Sequence, residues 1–145
     1  MYRISHCVLF IGLDLITLYL RLINPCREST ETMFFRKSAK SYHSLTVTDY
    51  KANFHDAKSD YVLVDVRTPN EFKGGHLPGA INIPLQQIAQ RTDEIALDKP
   101  VVVVCASGNR SKSASNILAR AGHKDVYNLS GGTMAWIRQG FPTRR

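Results

Sequence analysis

From residue 44 onward, apolar and polar positions fall into blocks that predict strand and helix in turn. Leu45 closes a short extended piece, and Thr46 and Asp49 stand at capping-box spacing, which opens a helix running to about Phe54. Residues 61–66 (YVLVDV) form a nearly continuous β-branched run between polar neighbours, as a strand buried on both faces would. A shorter strand is expected over residues 80–83, ended by Pro84, which has no N–H for a ladder. Residues 85–95 read as a helix, and Val101–Val104 as the strongest strand of the chain. Over residues 111–121, Ala114, Ile117, Leu118 and Ala121 make a stripe at helical spacing, closed by Gly122. A strand at Val126–Leu129 and a helix over residues 133–139 complete the pattern. Strands alternating with helices imply an α/β fold: a central, mostly parallel five-stranded sheet with helices on both faces.

Residues 1–43 do not share this pattern. Residues 7–23 (CVLFIGLDLITLYLRLI) are apolar except for Asp14, Thr17 and Arg21. That run is at the short limit for a membrane span, and a mid-span carboxylate costs roughly 2.5–3.5 kcal/mol on insertion scales. Little positive charge precedes it and no small-residue cleavage site follows, so it is a poor signal peptide. It reads as a weak anchor, a helix docked on the domain, or an extension upstream of the true start at Met33. The last is preferred, with residues 24–43 as a polar, basic linker and residues 44–143 as the domain. A cytoplasmic location follows, with anchoring through residues 7–23 as the alternative.

Composition narrows the function. The chain has 145 residues, 43% hydrophobic and 21% charged, which suits one ordinary globular domain. The net charge of +7 is spread along it, with six basic against three acidic residues up to position 43 and thirteen against nine beyond. Neither basic runs nor interleaved aromatics occur, so nucleic acid is not an expected partner, whereas a small anion is. Three cysteines, Cys7, Cys26 and Cys105, are too few and too scattered for a disulfide framework or a zinc site.

Cys105 stands apart because of what surrounds it. In Val101-Val-Val-Val-Cys105-Ala-Ser-Gly-Asn-Arg110-Ser111 a buried strand runs into the cysteine, small residues follow, and a helix starts at about Arg110. In open parallel sheets, ligands bind beyond the carboxyl ends of the strands. The loop of Ala106, Ser107, Gly108 and Asn109, with Ser111 behind it, can turn backbone N–H groups inward as an anion nest. The helix adds the positive end of its dipole, and a thiol at that focus is favoured as thiolate. Arg110 would supply a bidentate cation for an oxyanion. A lone cysteine at a strand end is ordinarily inert packing; the convergence of strand, small loop, helix and arginine is what singles this one out.

The segment from Cys105 to Ser111 resembles the active-site loop of the rhodanese-domain sulfurtransferases. Two flanking segments extend the likeness over residues 44–143: Asp65-Val-Arg67-Thr-Pro-Asn-Glu71-Phe-Lys-Gly-Gly-His76-Leu-Pro-Gly-Ala80-Ile-Asn-Ile-Pro84 and Asn128-Leu-Ser-Gly131-Gly132-Thr-Met-Ala-Trp136. The resemblance implies that Cys105 carries a persulfide and that Arg110 binds the donor. It implies a small anionic sulfur donor such as thiosulfate, a thiol or protein acceptor, and a two-step transfer that needs no metal and no organic cofactor. From the residues themselves, Asp65 and Arg67 read either as a pair that orient one another near the loop or as an ordinary strand-end ion pair. Glu71 and His76 bracket a short turn, Gly131 and Gly132 allow close backbone approach to the loop, and Trp136 belongs to the core. Related folds carry cysteine-dependent phosphatases and arsenate reductases, whose loop is one residue longer. A non-catalytic binding module is the other alternative.

Overall fold

In the computed structural model, residues 42–145 are described. The expectations for residues 7–23, for the linker up to residue 41 and for a start at Met33 lie outside them. Among the described residues, no helix is long and apolar enough to cross a membrane.

The elements are β1 (His43–Leu45), α1 (Val47–Tyr50, widening into a π turn over Lys51–His55), β2 (Val62–Asp65), α2 (Pro69–Gly74), β3 (Ile81–Asn82), β4 (Val101–Val104), α3 (Asn109–Arg120), β5 (Val126–Leu129) and α4 (Gly132–Arg138). The strands order as β1-β5-β4-β2-β3, and every pairing is parallel. All four valines of β4 are fully buried, as befits the middle of a two-faced sheet. Alternation sorts them: Val101 and Val103 pack with Ala114 and Leu118 of α3, while Val102 and Val104 pack with Val47, Tyr50 and Trp136 from α1 and α4. Both faces are therefore covered, and all strand C-termini point to one edge.

Two segments depart from the sequence reading. Residues 85–95 are not one helix but two single 3-10 turns, Ile88–Gln90 and Thr92–Glu94. Only Ile88 and Ile95 are deeply buried there, so no apolar stripe supports a longer helix, and Thr92 and Asp93 are weak helix formers. Conversely, the segment read as a short turn between Glu71 and His76 holds the C-terminal part of α2. Thr68 caps it, accepting from the Glu71 N–H at 3.4 Å while Glu71 accepts from the Thr68 N–H at 3.0 Å, and Pro69 occupies the first turn.

Candidate active site

Cys105 follows directly on β4 and is 1% exposed. Gly108 precedes α3 in the left-handed region at φ +98°, and a Cβ there would stand 3.1 Å from the Gly131 nitrogen and 3.3 Å from the Leu129 oxygen. Only glycine turns the chain at this point, and the turn aims its N–H at the sulfur, 3.1 Å from Cys105 Sγ. The Ser111 hydroxyl lies 3.4 Å from Sγ on the other side.

What keeps the loop amides facing inward is α4. Its first turn offers the Thr133 N–H to the Cys105 carbonyl at 2.8 Å and the Met134 N–H to the Ala106 carbonyl at 3.0 Å. The Thr133 hydroxyl reaches the Cys105 carbonyl as well, at 3.3 Å. With these carbonyls drawn toward α4, the opposite face of the loop is rich in N–H groups. Gly132 makes the approach possible, since a Cβ on it would lie 2.2 Å from the Cys105 oxygen. Gly131 caps α4 at φ +79°; its nitrogen lies against Gly108 of the loop, and a Cβ on it would meet the Ala135 Cβ at 2.6 Å. Burial pushes the Cys105 thiol up, but the Ser111 hydroxyl and the N–H groups of Ser111, Gly108 and Ser107 outweigh it and hold the thiol below its ordinary range. Ala106 is half-buried, and the Ser107 and Asn109 side chains are exposed at the mouth.

Arg110 is not the unattached cation the sequence suggests. Its guanidinium forms a two-pronged ion pair with Glu71, at 2.7 and 2.9 Å. The same carboxylate caps α2, and the hydrogen bond from Arg110 is the main reason its carboxyl is lowered to about 2. Both side chains remain about one-third exposed, so the pair sits at the rim of the nest. Asp65 and Arg67 form a buried pair, with Arg67 Nε and Nη2 on the carboxylate at 2.7–3.0 Å and Nη2 also on the Gly75 carbonyl at 2.8 Å. Asn82 donates to the carbonyls of both residues at 2.9 Å. The pair ties the end of β2 to α2 and β3 and makes no hydrogen bond to the loop, so it supports the element that carries Glu71. His76 stacks on Phe72 at 3.8 Å, and Trp136 is core, its indole N–H on the Pro142 carbonyl.

Sequence reasoning missed three participants. Glu71 was visible as the last residue of a Thr-x-x-Glu capping signal, but its partner is distant in sequence. Thr133 and Asn128 carry no local signal.

The Rhodanese-like domain model matches residues 46–139. The chain belongs to this family. It is 45% identical over 93 residues to the uncharacterized protein YqhL of Bacillus subtilis, covering 64% of this chain and 71% of that one. It is 45% identical over 75 residues to a protein named thiosulfate sulfurtransferase GlpE from Pseudomonas syringae, covering 52% and 71%. A crystal structure of a rhodanese-related protein from Thermoplasma volcanium superposes with a TM-score of 0.63 at 32% identity, covering 71% of this chain and 98% of that one. A structure from Rhodopseudomonas palustris, described as a protein of unknown function and possible tyrosine phosphatase, gives 0.66 at 31%, covering 72% and 86%. The α/β fold with its parallel five-stranded sheet is the fold of this family.

Proposed function

We propose that this rhodanese-like domain is a sulfurtransferase that moves a sulfane sulfur from an anionic donor such as thiosulfate to a thiophilic acceptor through a persulfide on Cys105. The observation that carries the reading is the set of donors around one sulfur: the Gly108 N–H at 3.1 Å and the Ser111 hydroxyl at 3.4 Å, in a loop whose carbonyls are taken by α4. Such a nest stabilises a thiolate and, equally, the negative outer sulfur of a persulfide.

The Cys105 thiolate attacks the outer sulfur of thiosulfate. A new S–S bond forms, the old one breaks, and sulfite leaves with its electron pair. An acceptor thiolate, or cyanide in an assay, then attacks the outer sulfur of the persulfide, and Cys105 departs as thiolate. No electron is gained or lost overall, so no redox partner is needed. Arg110 holds the anionic end of the donor at the rim, tempered by Glu71. The cradle holds four residues between Cys105 and Arg110, Ala106 to Asn109, which suits a bound sulfur better than a tetrahedral phosphate.

Intact mass after incubation with thiosulfate tests the proposal: a gain of about 32 Da is expected, and it should be absent in Cys105→Ser. No gain, together with faster hydrolysis of p-nitrophenyl phosphate than transfer of sulfur to cyanide, would replace it with phosphatase chemistry.

A further inference from the structure

Behind the nest lies a polar residue that the reaction scheme does not use. Asn128, in β5, is fully buried and reaches the Ser111 hydroxyl, with 2.6 Å between Oδ1 and Oγ. Its Nδ2 is buried and finds no hydrogen-bond partner among the described residues. Ser111 Oγ is also the side-chain donor 3.4 Å from Cys105 Sγ. A hydroxyl carries one proton. If Asn128 Oδ1 takes it, Cys105 loses a donor, and a buried NH2 stays unsatisfied, which is costly in the interior.

Turning the amide end for end resolves both conflicts, because its two ends are nearly isosteric. Nδ2 then donates to a lone pair of Ser111 Oγ, and the Ser111 proton is left to point at the sulfur. The group left unpaired becomes a carbonyl, which proteins tolerate better than an unpaired N–H. A separation of 2.6 Å is short for an N–H donor, and relaxing it toward 2.9 Å takes a shift of about 0.3 Å.

We infer that Asn128 is a positioning residue which donates through Nδ2 to Ser111 Oγ, so that the Ser111 hydroxyl points its proton at Cys105 Sγ. The chain runs from β5 through α3 to the sulfur. It acts only through Ser111. This deepens the proposed function and rests on it for its meaning in catalysis, but its test reads the ionisation of Cys105 and not sulfur transfer, so either can fail alone.

The readout is the apparent pKa of Cys105 in the full chain, taken from the pH dependence of its iodoacetamide labelling by peptide mapping and checked by ultraviolet thiolate absorbance against Cys105→Ser. Ser111→Ala should raise that pKa by about half to one pH unit. Asn128→Leu should raise it too, by no more than Ser111→Ala does, and the double variant should be no higher than Ser111→Ala alone. A fall in Asn128→Leu would mean that Asn128 had been holding the Ser111 proton, and no change would mean that it positions nothing; either overturns the inference. Should Asn128→Leu not fold, Asn128→Asp serves. Its carboxylate can only accept, so it should raise the pKa more with Ser111 present than in the Ser111→Ala background. Equal effects in the two backgrounds would mean that the new carboxylate acts on Cys105 by its charge alone and not through Ser111, which overturns the inference as well.

Discussion

Replacing Gly132 with alanine tests whether α4 turns the loop carbonyls aside. The added Cβ would lie 2.2 Å from the Cys105 oxygen and 2.6 Å from the Ala106 oxygen, where ordinary contact starts near 3.4 Å. The loop and helix must part by roughly 1 Å, which a close-packed interior absorbs poorly. The hydrogen bonds from the Thr133 and Met134 N–H groups, now 2.8 and 3.0 Å, would then be lost. Two such bonds contribute about 0.5–1.5 kcal/mol each, and a left-handed alanine at φ +57° costs about 1 kcal/mol more, for a total of about 2–4 kcal/mol. Gly140→Ala is the control, because Gly140 is also left-handed at φ +76° but has nothing within 4 Å of a Cβ; only the backbone cost of about 1 kcal/mol applies. Urea unfolding should separate the two variants by at least about 1 kcal/mol. Iodoacetamide labelling of Cys105 at pH 6 should fall in Gly132→Ala and stay unchanged in Gly140→Ala. Equal stability losses with unchanged labelling in both would refute the carbonyl-pinning account.

Four further outcomes are expected. Cys105→Ser should abolish persulfide formation with little change in the urea midpoint, and residual thiosulfate:cyanide activity in the pure variant would remove the nucleophile assignment. Because the Cys105 thiol sits below its ordinary range, the labelling rate should climb with pH and level off before the free-thiol value of about 8.5; a midpoint at that value would mean the nest does not act. Glu71→Gln keeps the α2 cap but releases Arg110, so KM for thiosulfate should fall about fivefold, the effect of about 1 kcal/mol at a partly exposed site; a rise would show that the pairing serves binding. Arg67→Met strands the Asp65 carboxylate in the interior and should cost about 3–5 kcal/mol in urea unfolding, with much of it recovered in Asp65→Asn/Arg67→Met; a loss under 1 kcal/mol would contradict a buried pair.

The strands were legible because β4 and β2 are runs of β-branched residues with no competing period, and α3 because its stripe fits one face of a helix. The residues 85–95 misled because Leu85, Ile88 and Ile95 match helical spacing, while the decision lay in which of them the sheet could bury. Cys105 and its loop could be picked out because strand, small residues and arginine are contiguous. The electrostatics of Arg110 could not, because Glu71 lies thirty-nine positions upstream and meets it only when α2 folds against α3. Likewise Thr133 and Asn128 act on the cysteine across the β4–β5 pairing, and no local spacing encodes such a contact.

The dependence of the loop on α4 bears on how the chain comes off the ribosome. Synthesis delivers β4, Cys105 and α3 first, and the amides that draw the Cys105 and Ala106 carbonyls aside belong to Thr133 and Met134, almost thirty residues later. β5, which leads into α4, must itself find a place between β4 and the already emerged β1. While those last residues are still inside the exit tunnel, the thiol has neither its complete nest nor the Asn128 side chain behind it. A nascent or C-terminally truncated chain thus lacks the contacts that shape the nest around Cys105, and the proposed sulfur chemistry has its full site only once the domain is whole.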